Sequence, residues 1–228
     1  MASTRQHDQA GHSGQGGTPG QAPYRDSHGK TLDEYPRPSV AVDTAVLTVA
    51  EDQLGVVVVE HDGGLRLPGT FLHQGESLAD AVARALRDKA CITGRAPQQL
   101  HVFDAQGRDD RGWVISVAHM VALPAEAVAG SRIIPAAEAT GLDFDHDQIV
   151  ARAVQQLQLD YAERPDPGHM LAEEFTMLEL HRLHKAVDPG TAQKDTFRRA
   201  MSKHLEDTGR LEGGTVGKPA RLFRRVEG

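Results

Sequence analysis

Residues 67–92 read LPGTFLHQGESLADAVARALRDKACI. Leu67-Pro68-Gly69 opens a tight loop, and Gly75-Glu76-Ser77 closes it. Ser77 with Asp80 three residues on is an N-cap signal. The helix expected from Ser77 to Ala90 places Ala79, Val82, Ala83, Leu86 and Ala90 on one face. An amphipathic helix alone says little about fold. A helix at fixed spacing behind Leu-Pro-Gly and Gly-Glu-Ser says much more.

Reading outward, β character flanks the helix on both sides. From Ser39 the residues Val40, Val42, Val46 and Val49 begin a strand-rich stretch. Leu54 to Glu60 contains Val56-Val57-Val58-Val59, whose β-branching suits a buried strand. Asp62-Gly63-Gly64 is a turn. Leu100–Phe103 and Trp113–Leu123 read as two further strands. Strands, one long helix and strands again predict a mixed α/β sandwich.

The 67–92 segment resembles the Nudix box, in which a Gly-rich loop approaches a diphosphate and helical glutamates hold Mg²⁺. The frame matches at Leu67, Pro68, Gly69, Phe71, Gly75, Glu76, Ser77, Arg84 and Leu86. It departs where the chemistry is done. Ala85 stands at the first helical glutamate, and Asp88 and Lys89 stand at the glutamate pair. Thr70 replaces the second loop glycine, and His73 replaces the loop acid. Cys91 replaces the exit glycine, so a residue with a Cβ is expected in left-handed backbone. One carboxylate beside a lysine does not make a Mg²⁺ site, so the resemblance implies the fold and no hydrolysis, no catalytic residue and no metal. Arg108-Asp109-Asp110-Arg111-Gly112-Trp113 resembles the loop and strand of ADP-ribose-recognising Nudix proteins. There Arg111 could pair with a diphosphate oxygen, or the acids beside it could form only a solvated turn. Trp113 could stack on a base or pack on a sheet. The effector-binding set implied is Arg66, Gly69, Thr70, Phe71, His73, Glu76, Arg111 and Trp113. For Glu76, as for Arg84, bracing the loop onto the helix is the favoured role.

Beyond Gly141 the pattern becomes helical. Asp145 can cap a helix with the stripe Ile149, Val150, Ala153, Val154 and Leu157, ended by Arg164-Pro165-Asp166-Pro167-Gly168. Thr176 with Glu179 forms a capping box. A third helix is expected over Ala192–Asp207, with Phe197, Ala200, Met201 and Leu205 inward. Arg210-Leu211-Glu212 and Ala220–Arg224, joined by a Gly-rich tip, read as a hairpin. Helix, turn, helix and basic hairpin together resemble the winged helix of the NrtR family, Nudix-related transcriptional regulators of NAD metabolism. The likeness spans about residues 38–226. Lys194, Thr196, Arg198, Arg199, Ser202 and Lys203 on the recognition helix, with Lys218, Arg221 and Arg224 on the wing, are the DNA-contacting set. His181 and His184 lie at i, i+3 without a third ligand nearby, so packing is preferred to metal binding.

Charge supports this division. Residues 193–228 carry nine Lys/Arg against five acids, a net of +4 within a chain of −7. A basic end on an acidic protein suits local phosphate contact. With Cys91 the only cysteine, an intrachain disulfide is excluded. No apolar run spans a membrane, and a cytoplasmic location is expected. Residues 1–37 are polar and expected to be disordered, and the irregular spacing of His7, His12 and His28 does not favour a metal. The expected organisation is therefore a tail (1–37), a Nudix-like effector-binding domain (38–140) and a winged helix-turn-helix (145–228). The resemblance implies a homodimer on a palindromic operator in double-stranded DNA. It also implies repression of NAD-synthesis or salvage genes and release by ADP-ribose, NAD⁺ or a related nucleotide, with no cofactor. An ADP-ribose pyrophosphatase with an unusual metal site is the alternative.

Overall fold

The computed structural model describes residues 24–94, 96–213 and 219–226. The described residues up to 37 form one unit and those from 38 another. In the first, a single 3₁₀ turn, Leu32–Glu34, is closed by the Thr31 backbone N–H and hydroxyl donating to Glu34. None of its described residues is buried, so local hydrogen bonds and ion pairs stand in for a core. His7 and His12 lie outside the described residues.

The second unit is built on β1 (Ser39–Ala50), of which residues 41–48 are all buried. It is flanked by β2 (Gln53–His61), β3 (Gly64–Arg66), β4 (Gly69–Phe71), β5 (Gln98–Phe103), β6 (Val114–Ala122) and β7 (Arg132–Pro135). The sheet order is β3-β2-β1-β6-β5, with β4 on β1 and β7 on β2. β1 and β6 run parallel and the other pairs antiparallel. Alternation along β1 explains why both faces need cover. Val42 and Val46 point to α1 (Leu78–Ala90), whereas Ala45 and Leu47 point to α2 (His146–Glu163).

The helix α1 starts as expected, with the Ser77 hydroxyl accepting from Asp80 N–H. Its buried face is Ala81, Val82, Ala85 and Leu86, rotated from the expected one, and Ala79 and Ala83 are exposed. Small residues on every side of this helix hide which face turns inward. Cys91 ends it at φ 56°, in the left-handed region anticipated for it.

The helix α2 carries its apolar stripe against the sheet. Ile149, Val150, Ala153, Leu157 and Tyr161 share a core with Leu47, Val56 and Met120. The sequence places this helix at the head of the second domain, because a break at Gly141 precedes it, yet it packs on the sheet of the first as well as on Leu183 and Val187 of the helix that follows. Asp145 sits at the N-cap but does not cap with its side chain; Arg108 takes that carboxylate instead.

The remaining elements are β8 (Glu174–Thr176), α3 (Met177–Val187), α4 (Lys194–Met201), β9 (Leu205–Leu211) and β10 (Arg221–Arg225). The three strands form a sheet ordered β8-β10-β9. The Thr176–Glu179 capping box opens α3 as expected. The third helix is shorter than the 192–207 expected. It stops at Met201, makes one 3₁₀ turn at Ser202–His204 and becomes β9. Leu205 fits the helical repeat of Phe197 and Met201, but it reaches that same core from a strand, where pairing with Arg225 satisfies its backbone. Ala200, expected inward, is exposed.

Candidate ligand cleft and nucleic-acid interface

A cleft of about 130 Å³ opens where β4, the last turn of α1, the 108–111 loop and the start of α2 meet. Gly69 puts backbone close to β1. A Cβ there would lie 2.0 Å from Asp43 Oδ1 and 2.8 Å from the Val42 carbonyl oxygen. Only glycine permits this approach.

Behind the cleft lies a buried, fully paired charge network. The Arg108 side chain, 3% exposed, donates through Nε to Asp145 Oδ2 at 2.8 Å, and its Nη2 lies 3.8 Å from Asp43. The Ser116 hydroxyl donates to Asp43 at 2.6 Å. The Leu67 N–H donates to His146 Nδ1 at 2.9 Å, so that nitrogen carries no proton and Nε2–H faces Asp43 at 3.4 Å. Burial alone would push the Asp43 carboxyl up. The hydrogen bonds from His146 and Ser116 and the Arg108 charge outweigh it and hold the carboxyl below the usual range.

The wall of the cleft is cationic and aromatic. Arg111 lies over both the Phe71 and the Phe144 ring, 4.9 and 4.6 Å from their centroids. Its guanidinium donates to both oxygens of buried Asp109 at 2.8 and 2.6 Å. That bond lowers the Asp109 pKa and raises that of Arg111. Arg66 bonds Asp143 at 2.8 Å and also lies over the Phe144 ring, 5.3 Å from its centroid. Phe144 adopts φ 59°. Left-handed backbone costs a side-chain-bearing residue about 1 kcal/mol or more, and here it presents a ring to two arginines.

Arg66, Gly69, Thr70, Phe71 and Arg111 of the expected effector set line this cleft; His73, Glu76 and Trp113 do not. Glu76 accepts twice from Arg84 at 2.8 Å, and Arg84 also donates to Thr70 Oγ1 and the Phe71 carbonyl, both at 3.0 Å. This is the loop-to-helix brace. The Arg84 hydrogen bonds pull the Glu76 carboxyl down to about 2. His73 is exposed and donates its backbone N–H to Glu76. Trp113 is 54% exposed on a neighbouring open groove that shares Asp109 with the cleft. Sequence reasoning missed Asp43, Phe144 and His146, which approach the loop only through the fold. It read Lys89 solely as a lost glutamate, and Lys89 lines the cleft. Of the other two departures, Ala85 is buried, and Asp88 accepts from its neighbour Arg87 at 2.8 Å.

At the other end, Phe197 and Met201 anchor α4 in the small core, while Lys194, Thr196, Arg198, Arg199, Ser202 and Lys203 are exposed. Lys194, Arg198 and Lys203 form no ion pair with a described residue. Arg221 and Arg224 pair across the hairpin with Asp207 at 2.6 Å and Glu206 at 2.8 Å. Such exposed, solvent-screened pairs contribute little, so phosphate can compete for the arginines. Lys218 lies outside the described residues. His181 Nε2 donates to the Ala192 carbonyl and His184 Nε2 to that of Pro165, and both rings pack on Phe197. These histidines are structural.

The model of the NrtR DNA-binding winged helix domain matches residues 167–225. A crystal structure of Shewanella oneidensis NrtR with a 27mer DNA superposes at TM-score 0.70, covering 82% of this chain and 93% of that one, at 29% identity. Over most of its length the chain is similar to NrtR. The likeness covers both parts described above, the Nudix-like sheet and the winged helix. The ADPR-responsive transcriptional repressor NtrR of Acinetobacter baylyi is 27% identical over 84% of this chain and 83% of its own length. An ADP-ribose pyrophosphatase of Methanocaldococcus jannaschii is 28% identical over 51% of this chain and 73% of its own length.

Proposed function

We propose that this chain is an NrtR-type transcriptional repressor of NAD-synthesis or salvage genes, released from its operator by ADP-ribose or a related nucleotide. The observation that carries the proposal is the pairing in one compact unit of a cationic, aromatic cleft with a winged helix whose outward face is basic. Arg66, Thr70, Phe71 and Arg111 hold the ligand's diphosphate side, with Gly69 keeping the cleft open. Trp113, reached through the groove beside Asp109, offers a face for the base. His73 and Glu76 serve by holding the loop. Lys194, Thr196, Arg198, Arg199, Ser202 and Lys203 meet the DNA, with Lys218, Arg221 and Arg224 on the wing.

The likeness to an ADP-ribose pyrophosphatase favours a second reading, hydrolysis. Ala85, Asp88 and Lys89 argue against it. Ala85 offers no ligand and Asp88 is paired with Arg87. Repression works by population shift: the ligand favours an arrangement of the winged helices that does not fit a palindromic operator, in a homodimer. A mobility shift with DNA upstream of NAD-synthesis genes tests the proposal. A specific complex dissolved by ADP-ribose or NAD⁺, with no AMP released, supports it. No specific complex, or Mg²⁺-dependent AMP release, overturns it.

A further inference from the structure

The cleft's charges are unevenly spent. Four Lys or Arg side chains line it, and three are committed to carboxylates: Arg66 to Asp143, Arg108 to Asp145 and Arg111 to Asp109. Lys89 is the fourth and has no carboxylate partner among the described residues. It is exposed in the last turn of α1, where the negative end of the helix dipole favours a cation.

A Nudix-type fold implies Mg²⁺ at this helix, and the donors present do not fit it. Mg²⁺ needs near-octahedral oxygen ligands, usually one or two free carboxylates plus phosphate and water. The two carboxylates of the cleft are already engaged, Asp43 by Ser116 and His146, and Asp109 by Arg111. Asp88 is held by Arg87. Among the described residues no three His, Cys, Asp or Glu side chains gather as a metal site.

We propose that Lys89 takes the place of the metal: its ammonium supplies the counter-charge for a nucleoside diphosphate ester, which therefore binds without a divalent cation. This rests on the effector reading above. A fixed ammonium offsets phosphate charge as a point charge. It does not organise and activate a water as bound Mg²⁺ does. The same substitution thus keeps the ligand and loses its hydrolysis.

Calorimetric titration of the full chain with ADP-ribose, in EDTA and in Mg²⁺, tests this. The wild type is expected to bind with the same affinity in both buffers. Lys89→Gln is expected to weaken binding about tenfold or more in both, the size of one hydrogen bond to a charged group. Because Lys89 is exposed, its replacement leaves the core intact, which an unchanged thermal midpoint checks. Wild-type binding that disappears in EDTA and returns with Mg²⁺ overturns the proposal, as does Lys89→Gln binding like wild type. If ADP-ribose binds in neither buffer while the operator complex persists, the effector assignment itself fails, and this proposal with it.

Discussion

Single atoms set the geometry of the cleft. Gly69 is the clearest case, because even a methyl group there meets the Val42 backbone oxygen as well as Asp43. Gly69→Ala should cost about 1–3 kcal/mol, the usual range for overpacking, measurable as a lower urea midpoint. An unchanged midpoint would mean that the loop can move off β1. Glu76 makes a pH prediction. Its pKa falls from 4.5 to about 2 on folding, chiefly through the Arg84 hydrogen bonds. A depressed carboxylate stabilises above its unfolded pKa, and this is lost as pH falls through the folded one. The stability gap between wild type and Glu76→Gln should therefore be full above pH 4.5 and shrink toward pH 2. A gap constant with pH would place the interaction elsewhere. These loop residues were legible because their spacing is local. Phe144 and His146 were not, since nothing in a sequence shows that a stretch some 75 positions away returns to the loop.

At the scale of elements, α2 joins the two ends of the molecule. Its N-terminus contributes Asp145 and His146 to the network behind the cleft. About 22 Å further on, at 1.5 Å per residue, the Tyr161 hydroxyl donates to buried Asp166 at 2.7 Å. Asp166 also accepts from the Met170 and Leu171 N–H groups, both at 3.0 Å, and from Arg225 on β10 at 2.8 Å. A rigid helix thus touches the cleft at one end and the wing's sheet at the other. Tyr161→Phe should leave ADP-ribose and operator affinities of the separate states near wild type while weakening ligand-driven release, read as a higher ligand concentration for half-release. Unaltered release would remove this contact from the coupling. His184 adds a second prediction. Burial depresses its pKa below 6.5, and His119 behaves alike. The unfolded chain takes up protons that the folded one refuses, so stability is full above about pH 6.5 and falls as pH drops below it. His184→Gln should flatten that decline in urea midpoints between about pH 7 and pH 5; an equal slope would exclude His184 as a source. Element positions were readable from caps, as with Ser77 and Thr176. The end of α4 was not, because Phe197, Met201 and Leu205 follow a helical repeat although Leu205 lies in a strand. Nor was the side on which α2 packs, which is a tertiary choice.

For the whole molecule, charge separates the two tasks. A chain of net −7 keeps its +4 over 193–228, where α4 and the hairpin lie. DNA affinity should fall linearly with salt on logarithmic axes, and Lys203→Ala should reduce the slope by about 1 if Lys203 meets a phosphate. An unchanged slope would take Lys203 off the backbone. A clean switch requires the ligand to prefer the DNA-free form by about 10²-fold, roughly 3 kcal/mol, and linkage makes that preference reciprocal. The most direct measurement is therefore the affinity of the full chain for ADP-ribose with and without saturating operator DNA at fixed salt. Binding about 10²-fold weaker on DNA is the expected result. Equal affinity in the two states would contradict a ligand-released repressor, however tightly each partner binds alone.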